Sequence, residues 1–241
     1  MTGKIEELFK FISNNRKYNK ALQERYYRSI ILPCNGEKEK IVSLLYHIAN
    51  TQSQPKIDNL AEFYKSIITE ENSLKSFKEF VIKINPNGES NFESVYKGML
   101  NQKGWGPKTS ALISKSIFHL HNGQYSADLK IWNDVPTLID ENDSFYLPVD
   151  AVIIAIFKKL NPDKTWNFTN INSLLKRKYI GQEIEIWDDL WFWGFITQNG
   201  GENRKFEWNE NKYWALKESD KDKIKIEEIK NKCQEFLGIF N

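Results

Sequence analysis

Cysteine is nearly missing from this chain: Cys34 and Cys233 are the only two in 241 residues. Two thiols cannot make a disulfide framework, nor the four thiolates of an iron–sulfur cluster, so neither is expected. Histidine is equally scarce. His119 and His121 flank Leu120 at a helix end, but no further ligand stands at a recognisable spacing, so both are expected as surface or capping residues and no metal is assigned. An excess of charge is absent too. With 34 basic against 32 acidic residues the formal net charge is +2, so a nucleic-acid partner would have to be met by a local basic face. No apolar run reaches the roughly 18 residues of a membrane span, and Met1 to Glu7 hold no signal-peptide core. The expectation is a cytoplasmic protein, nucleoid-associated if bacterial, with no membrane partner. Internal repeats and long low-complexity linkers are also lacking.

What is present is helical periodicity. Ile5, Leu8, Phe9 and Ile12 recur at the spacing of one helix face, and further amphipathic segments are expected over 20–32, 37–50, 58–68, 73–84, 91–100, 109–120, 151–160, 172–179 and 220–240. The chain is long enough for one large domain or two small lobes. Thr51-Gln52-Ser53-Gln54-Pro55 makes a polar corner, and Pro86-Asn87-Gly88 a turn. Residues 121–146 are rich in turn formers, with Lys130-Ile131-Trp132 or Thr137-Leu138-Ile139 as candidate short strands.

One stretch organises the rest: Gly104-Trp105-Gly106-Pro107-Lys108-Thr109-Ser110-Ala111. Glycines on both sides of Trp105 permit positive φ and close approach of the backbone to a ligand. Pro107 suits the first turn of a helix. A tight turn thus feeds a helix N-terminus, whose unpaired amides and positive dipole end favour a phosphate oxygen. Downstream, Pro148-Val149-Asp150 opens another helix, with Asp150 as its N-cap.

These two motifs, in this order, resemble those of the helix-hairpin-helix DNA glycosylases, the superfamily of endonuclease III and the 8-oxoguanine glycosylases. The family hairpin reads approximately Gly-hydrophobic-Gly-x-Lys-Thr-Ala, and a later Val-Asp at a helix start carries an essential carboxylate. The resemblance implies Lys108 as nucleophile and Asp150 as the carboxylate. It also implies DNA contacts by Gly104, Trp105 and Gly106, a monovalent cation on hairpin carbonyls, and a DNA-reading role for Gln52 and Gln54 in the polar corner; the alternatives are that Gln52 and Gln54 are ordinary loop residues and that Trp105 packs between the two hairpin helices. Two departures stand out: the motifs are separated by an insertion, 121–146, and Ala151-Val152 replace the Thr-His that often follows the family's Asp.

The implied fold is mainly α with few short strands, a two-lobed helical bundle in which the hairpin and the Asp150 helix line the cleft between lobes. Approximate lobes are 37–146, and 1–36 with 147–241. The implied function is a DNA N-glycosylase with abasic-site β-elimination lyase activity. It would remove a damaged or modified base, oxidised purines such as 8-oxoguanine among them, from double-stranded DNA with the base flipped out; the chain would act as a monomer.

The chemistry can be argued from the residues. A lysine at the mouth of a DNA-binding turn can attack the sugar C1′, expel the base and leave a Schiff base. This needs a neutral amine. Lowering a lysine from near 10.4 to about 7.5 requires roughly 4 kcal/mol against the ammonium, and partial burial and a helix N-terminus both act that way. A flipped base also needs stacking walls. Asp189 and Trp193, four apart on one helix face in a tryptophan-rich run, are candidates; hydrophobic core is the alternative. The run Lys176-Arg177-Lys178 could clamp phosphates or be a solvated face. The Gly-x-Gly-x-Lys pattern by itself equally suits a non-catalytic DNA-binding protein, and a glycosylase can serve restriction or defence as well as repair.

Overall fold

The structure, a computed structural model, describes residues 2–200, 204–216 and 223–240. It is mainly helical. In chain order the helices are α1 (Thr2–Asn14), α2 (Arg16–Ile31), α3 (Glu37–Ala49), α4 (Ile57–Thr69), α5 (Phe77–Ile84), α6 (Phe92–Leu100) and α7 (Pro107–His121). There follow α8 (Ala151–Leu160), α9 (Phe168–Leu175), α10 (Gln182–Ile186), α11 (Asp189–Ile196), α12 (Glu210–Leu216) and α13 (Lys223–Gly238). Single 3-10 turns stand at Glu71–Leu74 and Ala127–Leu129. Extended pairing among the described residues is confined to one antiparallel bridge, Gln198 with Phe206. The start expected for the last helix, 220–222, lies outside the described residues.

Chain contacts divide the protein into two units. Unit 1 comprises residues 1–23, 149–175 and 186–241, and unit 2 comprises 24–148 and 176–185. Residues 24–36 and 176–185 therefore cluster with the hairpin-bearing segment, not with the remainder as the sequence suggested. The basic helix expected over 172–179 also differs. Helix α9 stops at Leu175, and Lys176–Lys178 form a turn.

Unit 2 is built on α7, which is buried along nearly its whole length. Helix α6 packs beside it: Phe92 meets Phe118 edge to face at 5.4 Å, and Ser114 Oγ donates to the Phe92 carbonyl at 2.9 Å. The insertion has a clear job here. The Asp134 carboxylate accepts from Phe77 N at 2.8 Å and Lys78 N at 3.0 Å, at the start of α5. Asp143 does the same for α6, accepting from Phe92 N at 2.9 Å and Glu93 N at 2.7 Å. Segment 121–146 is thus a strap whose acids cap two helices of its own unit, each contact contributing about 1 kcal/mol. The short strands expected within it do not form. Ile131 N and Trp132 N instead donate to His121 Nε2, at 3.0 and 3.1 Å, and the Trp132 indole donates to the Leu74 carbonyl at 2.8 Å.

Neither His119 nor His121 is a surface residue; each is 2% exposed. His119 Nε2 pairs with Glu185 Oε1 at 2.6 Å, and its other nitrogen faces the Tyr27 hydroxyl. His121 holds the strap as a neutral ring: Nδ1 lies 2.6 Å from the Ile117 carbonyl, to which it donates, while Nε2 accepts the two strap amides. Protonating Nε2 would set a donor against two donors. Burial first, with the nearby Lys130 and Lys40 charges adding to it, pushes the His121 pKa down to about 4 from 6.5. The unfolded chain therefore takes up a proton below pH 6.5 that the folded chain refuses until about 4. Stability contributed by neutral His121 is complete above pH 6.5 and is lost as pH falls toward 4, with a slope of about 1.4 kcal/mol per pH unit. Urea unfolding between pH 7 and 4.5 should show this slope in the wild type and lack it in His121→Gln.

Unit 1 buries Leu8 and Ile12 of α1, Ile153 and Ile156 of α8, Trp193 of α11 and Phe236 of α13. Helices α8 and α11 pack closely because Gly194 has no side chain: a Cβ there would lie 2.6 Å from Ile156 Cδ1 and 2.7 Å from Val152 Cγ1. That approach sets Trp191 beside the first turn of α8.

Candidate nucleic-acid interface

In unit 2, α6 ends in the turn 101–106, which delivers the chain to α7. Gly104 has φ +86°, and a Cβ there would meet Leu60 Cδ2 at 3.0 Å and the Leu60 amide at 3.2 Å. Glycine is required on both counts. Gly106 differs. It is the N-cap of α7 at φ −117° and ψ 176°, conformations open to any residue, and nothing lies within 4 Å of where its Cβ would be. Its missing side chain serves no internal packing; it leaves the mouth of the helix bare. Gly106 N donates to Thr109 Oγ1 at 3.1 Å, and Pro107 has no amide proton, so the first-turn amides with no helical carbonyl to bond are those of Lys108 and Thr109.

The contrast gives a paired expectation. Gly104→Ala should destabilise the fold by about 1–2 kcal/mol through its left-handed backbone alone, with the Leu60 contact adding to that. Gly106→Ala should leave stability within about 0.5 kcal/mol. Denaturant unfolding separates the two.

Lys108, half-buried at the second position of α7, donates from Nζ to the Thr51 carbonyl at 3.1 Å. Gln52 Nε2 donates to the Gly104 carbonyl at 3.2 Å. The polar corner after α3 is therefore fastened to the turn, with Gln54 exposed beside it. Trp105 turns inward, 6% exposed and edge-on to Phe63 at 5.2 Å. Its ring packs inward, which leaves its main chain as the part of Trp105 open to a ligand at the turn. Lys176, read in the sequence as part of a phosphate clamp or of a solvated face, folds inward too. Its Nζ sits 3.2 Å from the centre of the Tyr146 ring, which stacks on Tyr96 at 4.1 Å. Burial pushes the Lys176 ammonium down to about 8. Arg177 and Lys178 remain exposed.

In unit 1, Asp150 is the N-cap of α8, as its sequence position predicts. Oδ1 accepts from Val152 N at 2.9 Å and Ile153 N at 3.1 Å. Oδ2 accepts from the Trp191 indole at 2.9 Å, a partner the sequence did not single out. Trp191 stacks on Phe195 at 4.9 Å, and Lys212 Nζ lies 4.9 Å from the Phe195 centre. Asp189 and Trp193, the candidate base-pocket pair, are both core residues. Asp189 is 3% exposed and binds Arg16 Nε at 2.7 Å and Asn19 Nδ2 at 2.5 Å. Trp193 is fully buried between Phe11 and Phe236. Helix α11 is apolar on nearly every side, so spacing alone could not tell its outward face from its inward one.

No helix among the described residues is long and apolar enough to cross a membrane, and those residues contain no cluster of three or more metal-ligating acids, histidines or cysteines. Comparison with protein-family models, with curated proteins and with solved structures gives no match.

Proposed function

We propose that this chain is a DNA N-glycosylase with abasic-site lyase activity, acting on double-stranded DNA from which the target nucleotide is everted. The observation that carries the reading is the α6–turn–α7 arrangement. A glycine-bounded turn leads into a helix N-terminus, with a bare Gly106 in front and the Lys108 amine in the first turn. We read it as a helix-hairpin-helix element that seats a backbone phosphate and brings an amine to the adjoining sugar. Deprotonated Lys108 Nζ attacks C1′; the C1′–N bond breaks, and the base leaves with the bonding pair and is protonated. Ring opening gives a Schiff base. Loss of a C2′ proton then breaks the C3′–O bond, and water hydrolyses the imine to release Lys108. Asp150 stabilises positive charge developing on the sugar, a role suited to a carboxylate at a helix start. Lys108 belongs to unit 2 and Asp150 to unit 1.

Borohydride reduction in the presence of abasic-site duplex tests this: a covalent protein–DNA complex is expected, and its absence from the wild type would remove the lyase assignment. A second reading, a non-catalytic phosphate clamp, draws support from the structural duties of both residues. Lys108 already ties down Thr51, and both Asp150 oxygens are engaged by α8 and Trp191. Under that reading DNA binds but nothing is trapped. The same chemistry would serve repair or defence alike.

A further inference from the structure

Unit 2 carries an aromatic surface beside the turn that none of these steps uses. Tyr46 and Tyr26 are 56% and 38% exposed. Both meet the ring of His47 edge to face, at 5.8 and 6.4 Å with interplanar angles of 86° and 90°. Further in, Tyr64 meets Phe63 at 5.4 Å and Phe63 meets Trp105 of the turn at 5.2 Å, a group of rings, Phe63 and Trp105 buried, that supports the turn.

The backbone links Tyr46 to the turn. Tyr46 and His47 occupy the last turn of α3, and Asn50 N bonds back to the Tyr46 carbonyl at 3.1 Å. Thr51 and Gln52 come next, and these are the residues tied to Lys108 and Gly104. A helical turn and the short corner beyond it are all that separate Tyr46 from the turn's ties, so a strand with a phosphate on the α7 N-terminus can bring a neighbouring unpaired base toward Tyr46.

We propose that Tyr46, Tyr26 and His47 form a site for unpaired nucleobases of a DNA strand whose backbone is seated at the Gly104–Thr109 turn. Exposed ring faces stack on any base, so recognition here is of unpaired bases and not of sequence. Paired bases, stacked within a duplex, cannot use it. The inference rests on the DNA-binding half of the function proposed above and not on its chemistry.

Anisotropy with three labelled probes tests it: a blunt duplex, the same duplex with a single-stranded extension, and the single strand alone. Tyr46→Ala should lower affinity for the extended and single-stranded probes about tenfold and leave the blunt duplex and borohydride trapping unchanged. Tyr46→Phe, which keeps the ring face, should bind all three as the wild type does. Equal losses on blunt and single-stranded probes, or single-strand affinity within twofold of wild type, would overturn the site. A wild type that binds blunt duplex but no single strand would overturn it while leaving the functional reading intact. A wild type that binds none of the probes would remove both.

Discussion

Lys108→Gln is expected to abolish the borohydride-trapped complex with abasic-site DNA, a loss on the order of a thousandfold or more relative to wild type. The substitution is chosen to leave the fold alone. Glutamine retains an N–H donor that can reach toward the Thr51 carbonyl, and Lys108 is only half-buried, so stability should change by less than about 1 kcal/mol. Glutamine also keeps the backbone amide at the second position of α7, and duplex affinity should fall only by the share of one phosphate-facing charge. The structure names the rival amine beforehand. Lys176 is a lysine in the same unit whose ammonium is pushed down to about 8 by burial, and it faces the Tyr146 ring. If trapping survives Lys108→Gln but is lost in Lys176→Gln, the amine is Lys176 and the hairpin is a DNA clamp beside it. Loss in Lys108→Gln with wild-type trapping in Lys176→Gln assigns the chemistry to the hairpin.

The helices were legible because their signals are local. Asn91 before Phe92, Pro107 after Gly106 and Asp150 before an apolar run mark starts that α6, α7 and α8 keep to within a residue or two. The glycines around Trp105 were readable only in part: Gly104 takes the left-handed turn the sequence allowed, whereas Gly106 stays at φ −117°. What could not be read depends on long-range partners. Nothing near Asp134 or Asp143 in the chain reveals that they cap helices some fifty residues upstream, with sequence separations of 57 and 51 to Phe77 and Phe92. The scarcity of histidine made His119 and His121 look like surface residues, because sequence cannot show a buried neutral ring accepting two amides from a strap ten residues on. Lys176 looked like part of a basic run, yet the turn Lys176–Lys178 that follows α9 aims Lys176 at Tyr146 while Arg177 and Lys178 stay exposed. In α11, eight residues almost uniformly apolar left Asp189 as the apparent polar outlet, whereas Arg16 and Asn19 pair with it in the core.

Asp150→Asn should cut base excision by about a hundredfold or more while leaving duplex affinity near wild type. Asparagine caps helices about as well as aspartate, so its oxygen can serve Val152 N and Ile153 N as Oδ1 does now. The cost falls on the other side. Where Oδ2 now accepts the Trp191 indole, the amide would present a second donor, and that mismatch with the lost charge at the helix start should destabilise unit 1 by about 1–2 kcal/mol. Trp191→Phe in the Asp150→Asn background should recover part of that stability by removing the opposed donor, without recovering excision. Asp150→Ser separates capping from chemistry: serine caps α8 but brings no negative charge. If Asp150→Ser excises bases as fast as wild type, Asp150 is only a cap. If it is stable, binds duplex and excises no faster than Asp150→Asn, the carboxylate is needed for its charge, and the geometry around Oδ2 makes Trp191 the residue that holds it in place.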